Sequence, residues 1–153
     1  MCKICIQAYR YLIEFGGLFK SPLLLICRLY FGSVFFLSGL HKFQDIGKLT
    51  RLLESYHLWY PTEQAYTAAS IELIGGICLI LGFASRLVAI PLIIVMVTAY
   101  FTIHIDAVKG IFSSSNAFVT QAPFIPLLIS IIVLAFGPGR YSIDHYLEKK
   151  YFH

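Results

Sequence analysis

Several charged side chains stand inside the longest apolar runs of this chain, and they are the residues best placed to do chemistry. Arg28, Lys42 and Glu72 are surrounded in sequence by Leu, Ile, Phe and Gly. An ionisable group within an apolar helix is costly unless it faces a partner or a cavity. His41 and His104 lie at the edges of the same runs, where an imidazole could transfer protons or ligate a metal or haem.

The elements that must position these residues are membrane-spanning helices. The chain has 153 residues, of which 58% are hydrophobic and 13% are charged. A helix needs roughly 20 mostly apolar residues to cross a bilayer. A spanning strand would alternate apolar and polar residues, and none of the apolar runs does so. We therefore predict an all-α integral membrane four-helix bundle, forming one domain over 1–153, with spans at about 22–42, 65–83, 87–105 and 118–137.

Short amphipathic surface helices should accompany the spans. Residues 1–20 carry a polar stripe at helical spacing and end at Gly16-Gly17. Between the first two spans, apolar and polar residues separate onto two helix faces. The apolar face holds Ile46, Leu49, Leu53 and Tyr56, and the polar face holds Asp45, Lys48, Arg51 and Ser55. A third short helix is expected after Ser142.

Positive charge predicts the orientation and the membrane. Lys and Arg are in excess on the face that holds both termini and the turn at 84–86, so both termini are predicted to be cytoplasmic in a bacterial inner (plasma) membrane, as a multi-pass protein. The net charge of +4 suits anionic lipid headgroups of the bilayer. The sequence has no basic cluster with interleaved aromatic residues, so a nucleic-acid partner is not predicted.

Two of the predicted spans carry matching faces of charge and glycine. In the first span this face is Arg28, Gly32, Phe35, Gly39 and Lys42; in the second it is Glu72, Gly75, Leu79, Gly82 and Arg86. Small residues on matched faces let membrane helices approach closely. We therefore predict that the first two spans pack antiparallel through Gly32, Gly39, Gly75 and Gly82.

Depth in the membrane then predicts which charged groups meet. Lys42 can reach Glu72, with His41 and His104 near the same level. The candidate ligand-binding residues are His41, Lys42, Glu72 and His104, with Asp106 and Gln121 at the rim. At the other end, Arg28 and Arg86 form a second charged cluster, with either Asp144 or a lipid phosphate as the anion.

Each feature also has a purely structural interpretation. Glu72 and Lys42 could simply lock two helices together, the histidines could be interfacial, and Arg86 could be a topological anchor. No serine-histidine-acid set, glycine-rich phosphate loop or HExxH motif occurs, so hydrolase and nucleotide chemistry has no support. No metal site is predicted, and the residues do not establish catalytic activity.

Three stretches resemble the DoxX family of small four-span bacterial membrane proteins. They are RLYFGSVFFLSGLHKF, ELIGGICLILGFASRLVAIPLIIVMVTAYFTIH and FGPGRYSID, which together cover most of 28–144. The residues that match the family's motif are Arg28, Gly39, Lys42, Glu72, Gly75, Gly76, Gly82, Arg86, His104, Gly137, Gly139 and Asp144. Where many members have an acidic residue before the last span, this chain has Gln121 as its nearest polar group.

The resemblance implies an inner-membrane protein of redox character. The hypothesis is a membrane subunit of a redox or oxidative-stress system that binds a quinone-like or other small ligand in a polar pocket between helices. The alternative is a membrane scaffold or chaperone-type module without catalytic activity, because distant relatives with this fold bind other proteins. A quinone is the cofactor considered, a partner membrane or redox protein is expected, and homo-oligomerisation stays open.

Overall fold

Eight helices make up the computed structural model, which describes residues 3–112, 115–137, 139 and 141–151. Side chains are described from Phe19 onward, except those of residues 20, 115, 145 and 151. In chain order the helices are α1 (Lys3–Gln44), α2 (Ile46–Ser55), α3 (Pro61–Leu81), α4 (Ser85–Thr102), α5 (Ile105–Lys109), α6 (Ser115–Val119), α7 (Phe124–Phe136) and α8 (Ile143–Tyr151). No strand occurs in these described ranges.

Three of the helices are long and apolar enough to cross a membrane. They are the Ser21–Gln44 part of α1, α3 and α4, with 24, 21 and 18 residues. At a rise of about 1.5 Å per residue, they are roughly 36, 32 and 27 Å long, close to the thickness of a hydrocarbon core. The prediction of an all-α membrane bundle is confirmed.

The fourth predicted span, 118–137, is not one continuous helix. It begins in α6, passes through a turn at 120–123, and continues as α7, which has 13 residues. Pro123 interrupts the helix because its ring removes a backbone donor and disfavours helical geometry at the preceding residue. A helix of this length measures only about 20 Å, so a fourth complete crossing stays a prediction.

Helix α1 also differs from the predicted pattern. The backbone is helical from Lys3 through Gly16 and Gly17 to Gln44, so the prediction that a separate surface helix ends at Gly16-Gly17 is wrong. A glycine inside a helix costs only about 1 kcal/mol relative to alanine, which the rest of a long helix can absorb. The side chains of the amphipathic stripe lie outside the described residues.

The predicted surface helix between the first two spans is confirmed as α2. It buries Leu53 against α3, while Lys48 and Arg51 on its other face are exposed. The predicted tail helix after Ser142 is α8.

The core lies where α1, α3, α4 and α7 meet. The most extensive helix contact is between α1 and α3, followed by that between α4 and α7. The buried apolar cluster consists of Phe35, Leu79, Ala89, Leu92, Met96, Ile129 and Val133. Large apolar side chains such as Leu23, Ile74 and Ile94 point outward and are exposed, as expected of helices whose outer faces contact lipid.

Glycines bring the backbones of α1 and α3 into contact. A Cβ atom built on Gly39 would lie 2.8 Å from Leu73 Cα and 2.9 Å from the carbonyl oxygen of Ala69. A Cβ on Gly32 would lie 3.0 Å from the carbonyl oxygen of Gly76. Because higher numbers in α1 meet lower numbers in α3, the two helices run antiparallel, as predicted.

Gly76, rather than Gly75, supplies the glycine of α3 at this contact. A Cβ on Gly76 would meet the backbone of Gly32 and Phe36, whereas one on Gly75 would meet the Leu92 side chain of α4 at 2.9 Å. The prediction that Gly75 faces α1 is therefore wrong, since α3 is rotated to place Gly75 against α4. Gly82 ends α3 with φ of 67° and lies beside Arg28.

The glycine contact predicts a large effect of added side-chain volume. Gly39→Leu or Gly76→Leu should lower the free energy of unfolding by about 1–3 kcal/mol or more, since backbone atoms cannot move aside as a flexible side chain does. Thermal unfolding in detergent measures the effect. Gly47→Leu is the matched control, because no atom lies within 4 Å of a Cβ built there. Equal melting temperatures for all three variants would contradict close packing of α1 and α3.

Candidate functional site

An ion pair with a buried carboxylate joins α1 and α3 at one end of the bundle. The Glu72 side chain is 0% exposed, whereas the Lys42 side chain is 31% exposed. Lys42 Nζ donates to Glu72 Oε1, and Ser38 Oγ donates to Oε2 at 2.7 Å. Ser38 and Lys42 lie one helical turn apart on α1, so both face the same carboxylate. The predicted contact between Lys42 and Glu72 is confirmed.

The ion pair lies in the wall of a cleft with a volume of about 910 Å³. Side chains from α1, α2, α3 and α4 line the cleft, together with residues just before and within α7. The lining is mostly apolar and includes Phe35, Leu53, Ile71, Met96 and Pro126. A cleft of this size with apolar walls and a few fixed polar groups is typical of a small-molecule site.

The other predicted ligand-binding residues are not all brought to this cleft. His104 lines it, at the residue before α5 and with its ring 6.1 Å from that of Tyr100. His41 is exposed and lines a second cleft. Asp106 is exposed, and the Gln121 amide donates to the carbonyl of Ala117; neither residue is among those lining the two clefts.

Sequence reasoning overlooked several polar groups of the cleft. Ser38 lies four residues before Lys42, and this helical spacing could have identified it. Glu63, Gln64 and Thr67, from the first two turns of α3, also line the cleft, although nothing in the apolar pattern distinguishes them from an ordinary interfacial turn. The cleft therefore has a second carboxylate, on Glu63, in addition to that of Glu72.

A second buried charge, Arg28, lies fourteen residues before Lys42 on α1, about 21 Å away along the helix axis and at the other end of the bundle. Arg28 is 1% exposed, and its Nη2 donates to the Tyr141 carbonyl at 2.8 Å. The Asp144 carboxylate interacts electrostatically with the guanidinium. Of the two anions considered for this cluster, the structure brings Asp144 to Arg28.

Asp144 also caps the amino terminus of α4. Its two carboxylate oxygens accept hydrogen bonds from the backbone N–H groups of Ala84 and Ser85, at 2.6 and 2.9 Å. Its own N–H donates to the Gly82 carbonyl at 3.0 Å. These contacts attach the carboxyl-terminal segment to the turn between α3 and α4. Arg86 is exposed, with its guanidinium beside Gly137.

Among the residues that the structure describes, no three His, Cys, Asp or Glu side chains are grouped so that they could hold a metal ion. The polar groups of the cleft are instead hydrogen-bond partners. Lys42 and the His104 ring could donate to an oxygen of a ligand, and the Glu63 carboxylate could accept from one.

The fold and the cleft define a class: a small helical membrane protein with an apolar, ion-paired cleft at one end. Residues 23–105 match the DoxX family, and the chain belongs to that family. A Bacillus subtilis protein named "Putative oxidoreductase CatD" is 30% identical over 125 residues, covering 82% of this chain and 87% of that protein.

Two further bacterial relatives are similar over most of their length. An uncharacterized membrane protein of Mycobacterium tuberculosis is 30% identical over 142 residues, covering 86% of this chain and 85% of its own. An uncharacterized protein of Haemophilus influenzae is 27% identical over 139 residues, covering 88% of this chain and 89% of that protein. No solved structure matches the chain.

The unequal exposure of the ion pair predicts unequal effects of removing each partner. Lys42→Met should lower the free energy of unfolding by about 3–5 kcal/mol, because it leaves a fully buried carboxylate without its cation. Glu72→Gln should cost less, since the Lys42 ammonium can reach water. Denaturation of each variant in mixed micelles measures the difference. A larger loss for Glu72→Gln than for Lys42→Met would contradict this account.

The cap on α4 predicts an effect of Asp144 on the carboxyl-terminal segment. Asp144→Ala should lower the free energy of unfolding by about 1–2 kcal/mol through the lost cap alone, and Asp144→Asn by less, because an acceptor oxygen remains. Limited proteolysis should also cut the segment faster in Asp144→Ala. Glu148→Ala, at an exposed position of α8, is the control and should behave like the wild type.

Proposed function

We propose that this DoxX-family protein is a membrane subunit of a redox system and binds a quinone-class ligand in the cleft beside Lys42 and Glu72. The observation that carries the proposal is the combination of mostly apolar walls with an ion pair, between the partly exposed Lys42 and the buried Glu72, in the cleft wall. A quinone needs this combination: its ring and tail are apolar, and its carbonyl oxygens accept hydrogen bonds.

The donors available in the cleft fit a carbonyl ligand. The Lys42 ammonium has three N–H groups, and its ion pair with Glu72 engages one of them. The side chain is 31% exposed, which leaves part of it accessible from the cleft. His104 offers a further donor when its ring carries a proton on the nitrogen that faces the ligand. Glu72 holds the Lys42 ammonium in place through its buried carboxylate.

The size of the cleft supports a ligand of this class. About 910 Å³ lies within the range of roughly 300–1,000 Å³ that is usual for small-molecule sites. The name of the Bacillus subtilis relative suggests a redox role for that protein, and similarity over most of both chains makes such a role a reasonable hypothesis here.

Ligand retention tests the proposal. Protein purified from its own membrane in mild detergent should carry quinone, which solvent extraction and mass spectrometry quantify per mole of protein. Ala68→Phe places a ring in the cleft and should reduce the retained quinone at least about tenfold, as expected when a bulky side chain occupies the volume of the ligand.

Ala117→Phe is the matched control, because Ala117 is exposed on α6 and does not line the cleft. It should retain quinone like the wild type. Equal quinone in the two variants, or none in the wild type, would overturn the proposal. A defined membrane partner that crosslinks to the chain, with recovery unchanged by Glu72→Gln, would favour the scaffold role instead.

A further inference from the structure

A second cleft, with a volume of about 770 Å³, lies between the last turns of α1 and the surface helix α2. Four basic side chains line it: His41 and Lys42 from α1, and Lys48 and Arg51 from α2. Leu49 and Leu52 supply an apolar side. None of these basic residues except Lys42 takes part in the ion pair of the larger cleft.

The charges of this second cleft favour an anion. The carboxylate of Asp45 also lines it, and Lys42 is balanced by Glu72, so Lys48 and Arg51 leave an excess of one positive charge before His41 is counted. Lys48 and Arg51 are three residues apart and share a face of α2. Arg51 Nε donates to the Gly47 carbonyl at 3.2 Å, which engages one of the five N–H groups of the guanidinium.

The position of the second cleft identifies the source of that anion. The last turns of the span Ser21–Gln44 border the cleft, and α2 begins two residues after the span ends. The loop after α2 exposes Trp59 and Tyr60, at 83% and 72%, and such aromatic residues are enriched at membrane interfaces. The cleft is therefore at the depth of lipid headgroups, where the abundant anion is a phosphate ester.

The apolar side of the cleft distinguishes a lipid from a soluble anion. Leu49 and Leu52 line both clefts, so the basic surface continues directly into an apolar one. A phospholipid has this order of groups, with a phosphate followed by glycerol and acyl carbons. Inorganic phosphate would gain nothing from the leucine side chains.

We propose that the second cleft binds the headgroup of an anionic phospholipid, with Lys48 and Arg51 contacting the phosphate and Leu49 and Leu52 contacting the adjoining carbons. Lys42 borders this site as well as the larger cleft, and its remaining N–H groups can reach the same anion. Lipid binding at this second cleft does not require quinone binding in the larger one.

Native mass spectrometry from detergent tests the site, with phosphatidylglycerol and phosphatidylcholine supplied in equal amounts. The wild type should retain phosphatidylglycerol in preference. The double variant Lys48→Gln/Arg51→Gln should weaken phosphatidylglycerol binding about thirtyfold, the effect expected for two basic groups near a lipid surface. Its melting temperature should match that of the wild type, because both side chains are exposed.

The matched control is Lys109→Gln/Lys149→Gln, which removes the same charge from exposed positions that do not line the cleft. It should keep the preference for phosphatidylglycerol. Equal weakening in the two double variants, or equal retention of the two lipids by the wild type, would overturn the proposal. Displacement of the lipid by millimolar inorganic phosphate would also overturn it, by indicating a soluble anion. Quinone retention by Lys48→Gln/Arg51→Gln shows separately whether the larger cleft is intact.

Discussion

The close approach of the α1 and α3 backbones determines where the charged groups of this bundle lie. A bilayer offers little hydrophobic drive for helix association, because lipid tails are as apolar as leucine, so packing at small residues must supply the attraction. Gly39 contacts Leu73 and Ala69, and Gly32 contacts Gly76. With the helices held in this register, Lys42 meets Glu72, and Arg28 lies beside Gly82 at the end of α3.

The two ends of the bundle satisfy their buried charges in different ways. At one end, Glu72 receives hydrogen bonds from two side chains of α1 and adjoins an open cleft. At the other end, Arg28 is covered by the carboxyl-terminal segment, whose Tyr141 carbonyl accepts a hydrogen bond from the guanidinium and whose Asp144 carboxylate interacts with it electrostatically. The Asp144 carboxylate also accepts hydrogen bonds from the Ala84 and Ser85 N–H groups at the start of α4. The Arg28 end is therefore closed by the carboxyl-terminal segment, whereas the Glu72 end is open to a cleft.

Helix α2 gives the open end its particular chemistry. One of its faces contributes Leu53 to the apolar cleft, while Lys48 and Arg51 on another face line the basic one. An amphipathic helix at the membrane surface meets both acyl chains and headgroups, so a single short element can border two sites of different polarity. Membership of the DoxX family establishes the kind of protein, whereas the polarity of each cleft depends on these particular side chains.

The sequence by itself determined three of the four predicted membrane helices, the helical spacing of Arg28, Gly39 and Lys42, and the pairing of Lys42 with Glu72. These features follow from the length of the apolar runs, the 3.6-residue period of a helix and the depth of each residue in the membrane. All three are local properties of one or two segments. They were sufficient to predict an antiparallel contact between the first two spans and an ionisable group inside the bundle.

Only the tertiary structure decided which neighbour each face meets. Gly75 and Gly76 differ by about 100° around α3, and the packing of Leu92 from α4 selects Gly76 for the contact with α1. Depth in the membrane had grouped His104 with His41, Asp106 and Gln121. The tertiary structure separates them, because only His104 lines the larger cleft. Periodicity defines a face of a helix, but the rotation of that face is set by contacts between residues far apart in the chain.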